Sequence, residues 1–216
     1  MRNYIASMKR LLYLLLFAFH FSFGQNASKE EELIQQALDY EQKGDINNAI
    51  KTGKKIIHIN PGSYQEANSI AGLYGQLGKF VDEITWAQKA IKINPKFSMG
   101  YVNLGNGYLG KGDVQKAEES YKKADSLDPS SPFPPYGLGV IEEGRGNWQA
   151  AISNYHQSVA RDTTFENGYY NLAAAYANLK DFKNANINIL KVLELNPNAK
   201  DAQVMREHIM EGILGQ

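Results

Sequence analysis

The 216-residue chain contains no cysteine. It therefore forms no disulfide, offers no thiolate nucleophile, takes no lipid through an N-terminal cysteine and builds no cysteine-ligated zinc site. Histidine is scarce: His20, His58, His156 and His208 are the four present, and no two stand at metal-ligand spacing. A charge of one sign is also lacking, with 23 basic residues against 23 acidic ones and no run of five like charges, so nothing recommends a nucleic-acid partner. There is no Gly-x-Ser-x-Gly elbow, no His-Glu-x-x-His and no Walker lysine loop. No cofactor, no metal and no enzymatic activity are expected from these absences.

Only one long hydrophobic run exists, LLYLLLFAFHFSF from Leu11 to Phe23, and its thirteen residues fall short of the roughly 20 that a membrane span requires. Arg2, Lys9 and Arg10 precede it and the small-x-small triplet Ser22-Phe23-Gly24 follows, the layout of a secretory signal peptide over 1–24 cut before Gln25. No membrane span is expected after its removal. Without Arg2, Lys9 and Arg10, 20 basic residues remain against 23 acidic ones, a net charge near −3. The expected location is exported: a bacterial periplasm or envelope, or secretion beyond it.

What is present is a folded-domain composition, 43% apolar and 11% aromatic, and a repeat. Asn-Pro at 60 and 61 returns at 94 and 95, as Asp-Pro at 128 and 129, as Asp-Thr at 162 and 163, and as Asn-Pro at 196 and 197, each step being 34 residues. A second series lies between these: KGD at 43–45, LGK at 77–79, KGD at 111–113, RGN at 145–147 and LKD at 179–181. Gly44, Gly78, Gly112 and Gly146 are suited to the left-handed conformation that ends a helix, and Asp45, Asp113 and Asn147 beside three of them are N-caps for the next. Proline in the Asx-Pro pairs stops the preceding helix and fits the first turn of the following one. Each unit is thus a helical hairpin.

The lattice also settles GNGYLG at 105–110, which imitates a Gly-x-Gly-x-x-Gly phosphate loop and even has Asp125 downstream. Gly105 lies at 34-residue intervals from Ala37, Ala71, Gly139 and Ala173. It is the small residue of a first helix, expected to oppose Ala117, and no strand precedes it.

Within residues 98–131, Tyr101, Leu104, Gly105, Tyr108, Ala117, Tyr121, Ala124 and Pro129 reproduce the large, small and aromatic positions of one repeat type, and the chain resembles the tetratricopeptide repeat (TPR) family from about 30 to 197. The resemblance implies an all-α fold: a right-handed α-solenoid of five TPR hairpins (30–63, 64–97, 98–131, 132–165 and 166–198). A short segment, 25–29, would precede them, and a C-terminal capping helix and tail, 199–216, would follow. In that last helix Ala202, Val204, Met205, Ile209 and Ile213 form the expected apolar stripe, with Arg206 and Glu207 facing away as the polar outer face of the stack.

Departures from the repeat pattern are few. Gln36 and Gly53 replace larger apolar groups, and Glu83 occupies the small slot of a second helix. Pro135, Glu142, Ser158 and Thr163 make the fourth unit irregular. Pro135 is expected to forfeit a helical hydrogen bond and loosen the start of its helix, and Glu142 to pair with Arg145 three residues on.

In this family the concave surface is lined by the first helices. That implies a peptide-binding set of Met99, Val102, Asn103, Asn106, Leu109, Phe133, Tyr136, Val140, Tyr170, Asn171 and Ala174. Asparagine offers donor and acceptor to an extended backbone, and the aromatics offer area. Members that hold chaperone tails by the terminal carboxylate use Lys and Arg there; the three central units have none, so no acidic C-terminal tail is expected as ligand. The resulting expectation is a non-enzymatic interaction scaffold of the bacterial envelope, whose partner is another envelope protein or peptide segment. The alternatives are a structural subunit joined through the convex face or stack ends, and an enzyme with a carboxylate site near Glu142.

Overall fold

The computed structural model describes residues 28–215. The signal segment expected at 1–24 lies outside the described residues. Among those described, every regular element is helical. The helices are α1 (28–42), α2 (Ile46–Ile59), α3 (Tyr64–Gln76), α4 (Phe80–Ile93), α5 (Ser98–Gly110), α6 (Val114–Leu127), α7 (Phe133–Gly144), α8 (Trp148–Arg161), α9 (Glu166–Asn178), α10 (Phe182–Leu195) and α11 (Lys200–Leu214).

Helices α1 to α10 make five hairpins, and α11 closes the row. Each helix packs on its chain neighbours, while first helices of adjacent hairpins also meet, α3 on α5 and α5 on α7. Contacts of this kind define a solenoid, in which each unit buries its apolar face only against the next. The core is accordingly a succession of clusters: Leu33, Ala37 and Ile56 at one end, then Ile70 and Tyr74, then Tyr121 and Ile141, then Tyr155 and Leu172, then Ile189 and Ile209 at the other.

The turns within hairpins follow the glycine series. Gly44, Gly78, Gly112 and Gly146 have φ of 70°, 66°, 80° and 76°, and in the fifth hairpin Lys180 adopts φ 60° in their place. Around Gly112 the N–H groups of Gly112 and Asp113 donate to the carbonyls of Leu109 and Tyr108, 2.9 Å each, closing α5. Asp45, Asp113 and Asp181 then accept from the N–H of Asn48, Lys116 and Asn184 as N-caps. Asn147 differs from expectation: it makes no cap bond and donates instead to Glu142, 2.8 Å.

No side-chain or backbone atom beyond its neighbours lies within 4 Å of a Cβ built on Gly112 or on Gly144, so those positions separate backbone strain from crowding. Gly112→Ala is expected to cost about 1–2 kcal/mol, the penalty of left-handed φ for a residue with a Cβ. Gly144→Ala, on the last helical residue of α7, is expected to stabilise by about 0.4–1 kcal/mol through the unfolded chain. Urea midpoints of the two variants moving in the same direction would contradict the assignment.

Between hairpins, the Asx residue rather than the proline organises the turn. Asp128 and Asp162 each accept from the N–H two residues on, at 3.1 and 2.8 Å, and Asn94 does the same toward Lys96 at 3.1 Å. Pro61, Pro95, Pro129 and Pro197 lie in these turns, before the next helix, and not in its first turn as expected. The expected loosening at Pro135 is also absent. Helix α7 starts at Phe133, so Pro134 and Pro135 fall where backbone N–H groups have no helical acceptor anyway, and Tyr136 N–H donates to Pro132 at 3.2 Å. Ser158 caps the same corner, donating to the Pro132 carbonyl at 2.9 Å.

In α11, Ala202 and Ile209 are buried, but Val204 (51% exposed) and Ile213 (37%) are not part of the packed stripe. Gln203, Arg206 and Glu207 stand exposed on the outer side. They turn a solvated surface to the end of the stack.

Candidate protein-binding groove

Two rows of side chains run along the first helices at the repeat interval. One is Ile34, Asn68, Val102, Tyr136, Tyr170 and Val204; the other is Leu38, Gly72, Asn106, Val140, Ala174 and His208. Neither row contains Lys or Arg. Exposed apolar side chains occur in both, Ile34 at 40%, Leu38 at 46% and Val204 at 51%.

The eleven expected residues divide between α5, α7 and α9. Asn106 is exposed, and Phe133 is exposed at 39%, whereas Met99, Leu109, Tyr136, Val140, Tyr170, Asn171 and Ala174 are half-buried. Val102 and Asn103 depart from the expectation of an open lining: they are 4% and 8% exposed, held between α5 and its neighbours.

The asparagines do structural work that spacing alone did not show. Asn103 donates through Nδ2 to the backbone carbonyl and side-chain oxygen of Asn68, 3.1 and 2.9 Å, tying α5 to α3. Asn171 donates to the hydroxyls of Tyr136 and Tyr155, 3.2 Å each, tying α9 to α7 and α8. The Asn106 Oδ1 accepts from the hydroxyl of buried Tyr121 at 2.7 Å. In each case the amide is committed to the stack through one of its two polar atoms. Burial pushes the Tyr136 hydroxyl pKa up, against a smaller opposing effect of the Asn171 bond. It stays a neutral hydrogen-bonding group.

Phe165, just before α9, receives the edges of two groove aromatics, Tyr136 at 5.1 Å and Phe133 at 5.5 Å between ring centroids. Both rings are thereby pre-set, which reduces the entropy lost when a ligand settles on them.

Beyond the expected residues, two clefts lie where α9 meets α11. A 270 Å³ cleft is lined by Tyr170, Asp201, Val204, Met205 and His208, and a 510 Å³ cleft beside it shares Tyr170 and Asp201. The signal was available, since Val204 and Met205 follow Tyr170 and Asn171 by the same 34 residues.

Glu142 is engaged by its neighbours, Arg145 among them as expected. Arg145 donates to it at 2.6 Å and Asn147 at 2.8 Å, while Arg145 also reaches Glu118 at 2.8 Å. These bonds, Asn147 foremost, hold its pKa below the usual carboxylate range.

Two stretches, 100–131 and 167–199, match the family model described as Tetratricopeptide repeat. Helical hairpins in a stack, with those matches, define an α-solenoid of tetratricopeptide repeats. The chain is 30% identical over 144 residues to "Small glutamine-rich tetratricopeptide repeat-containing protein 2" of Mycosarcoma maydis, covering 67% of this chain and 39% of that protein. It is 36% identical over 123 residues to "Heat shock protein STI1" of Saccharomyces cerevisiae, covering 53% of this chain and 21% of that one. The chain thus spans well under half the length of these relatives. Among solved structures, a thermophilic TPR protein of Thermus thermophilus superposes with a TM-score of 0.74 at 19% identity, covering 86% of this chain and 99% of the other. That likeness is one of fold.

Proposed function

We propose that the protein is a non-enzymatic scaffold of the bacterial cell envelope that holds an extended segment of another protein in this groove. The observation that carries the proposal is the pair of rows without Lys or Arg, in which Asn68 and Asn106 stand among Tyr136, Tyr170 and apolar residues at the repeat interval. Amides suit the backbone of an extended chain and rings suit its side chains, whereas a ligand recognised by its carboxylate would find no Lys or Arg in these rows, Lys200 lying in the cleft beyond them. The envelope setting rests on Arg2, Lys9, Arg10 and the run from Leu11 to Phe23.

Ala174 provides the sharpest test, being half-buried in the second row and in none of the core clusters. Crosslinking capture from native envelopes is expected to lose its main partner at least about tenfold with Ala174→Arg, at unchanged helicity, because a long cation then fills the channel. A second reading, assembly through the outer surface, is favoured by exposed Val81 (63%) and Ile187 (56%) on second helices. Capture that survives Ala174→Arg but fails with Val81→Arg or Ile187→Arg would replace the groove reading with that one.

A further inference from the structure

Four hairpins carry alanine at the small slot of the second helix, Ala49, Ala117, Ala151 and Ala185; the second hairpin carries Glu83. The chain has not expelled this carboxylate to solvent. Glu83 is 2% exposed, and no ion pair or hydrogen bond to its carboxylate occurs among the described residues.

Gly75 of α3 makes room for its carboxylate, and Gly107 of α5 makes room for the adjacent Ile84. A Cβ on Gly75 of α3 would lie 2.7 Å from Glu83 Oε1, and one on Gly107 of α5 would lie 3.4 Å from Glu83 Cγ and 2.7 Å from Ile84 Cγ1. One turn further along α4, Ala87 stands where the third and fourth hairpins have Tyr121 and Tyr155. Bulk has been exchanged between the two positions. The glutamate is thus built into the seam between α3, α4 and α5.

No cation offsets it there. From α6, Tyr121 is the titratable side chain that feels its charge, and its hydroxyl is given to Asn106. On α3, the Tyr74 hydroxyl is taken by Lys54, and on α5 the Tyr108 ring lies under Lys116. On α4 itself Asp82 is exposed, as is Lys79 at its N-cap, and neither pairs with Glu83.

We infer that Glu83 makes the junction between the second and third hairpins a pH-operated hinge, closed while the carboxyl is protonated and loosened as it ionises. A neutral carboxyl fits the closely packed seam, whereas an unpaired carboxylate there demands water or movement. Because α3 and α5 are neighbours along the inner face, loosening the seam changes the curvature of the row of first helices.

Burial raises the Glu83 pKa from 4.5 to about 7. Between those values the folded state keeps a proton that the unfolded state has lost. The folding constant therefore falls by up to about tenfold per pH unit as pH rises, and levels off above the folded value. Glu66 acts with the same sign, raised by burial and then by Glu41 and Glu30, but only to about 6. Glu83, raised further, supplies the larger part of the change toward neutral pH.

The test uses the full chain, comparing wild type with Glu83→Gln and, should that variant fail to fold, Glu83→Ala, the residue of the other four hairpins. Carboxyl carbon NMR is expected to show Glu83 titrating near neutrality. Hydrogen-exchange protection in α4 and α5, corrected for the intrinsic rate, is expected to fall by about tenfold from about pH 6 to about pH 8 in wild type. In the variant only the smaller change due to Glu66 is expected to remain. A Glu83 midpoint in the ordinary carboxylate range, or equal loss of protection in wild type and variant, would overturn the hinge.

Discussion

Tyr155→Ala is expected to be the most damaging single truncation in the fourth hairpin, lowering stability by about 3–5 kcal/mol. The side chain is fully buried on α8, with its ring packed against Gly139 of α7 and at 5.7 Å from the ring of Tyr136. Alanine would leave a ring-sized void between α7, α8 and α9, which the surrounding packed helices relax to fill only in part. The hydroxyl adds a separate contribution. It donates to Glu143 at 2.5 Å and accepts from Asn171 at 3.2 Å, so it joins α8 to both α7 and α9. Burial first, and the Glu143 bond second, push its pKa far above that of a free tyrosine. It donates at every pH at which the protein folds. Tyr155→Phe is accordingly expected to cost about 1–3 kcal/mol, the penalty of leaving polar partners unmatched. Urea unfolding followed by far-UV circular dichroism measures both, and equal losses for Phe and Ala would show that the ring contributes no packing of its own.

Gly105→Ala is expected to cost about 1–3 kcal/mol, although alanine is the better helix former. A Cβ at this position would lie 2.6 Å from Cε1 of Tyr121, and one on Gly137 would lie 2.5 Å from Cζ of the same ring. Tyr121 is therefore clasped between α5 and α7 by two glycines. The atoms nearest a side chain at Gly105 are those of this ring, which follows Ala117 by one turn of α6 in the same core cluster. The contact can be measured: with Tyr121→Leu in the background, the cost of Gly105→Ala should fall by about 0.5 kcal/mol or more, since the atoms it collides with are gone. Strict additivity of the two changes would place the crowding elsewhere.

Most of the architecture could be read from the chain. Punctuation by Gly112 and its equivalents and by the Asx turns is local chemistry, decided within five or six residues, and it recurs at 34-residue intervals. Fold class, number of hairpins and the all-helical character follow from it. The positions of Pro61 and Pro135 were misjudged by a few residues because helix starts depend on which N–H groups find acceptors, a matter of single hydrogen bonds. The groove was partly legible. Its rows follow from the period, but the burial of Val102 and Asn103 depends on how closely α5 approaches α3. The cleft at Val204 and His208 depends on α11 docking like a first helix.

Period, punctuation and the absence of cysteine settled the class of fold and excluded thiol and disulfide chemistry before any coordinate was known, because these are properties of residue types at fixed spacing. Three features were decided only by packing. These are the asparagines as ties between successive helices, the two glycines that clasp Tyr121, and the burial of Glu83 between α3, α4 and α5. Each brings together residues from two or three helices, some more than thirty positions apart. The free energy of such contacts depends on distance and solvent access, which no one-dimensional pattern contains.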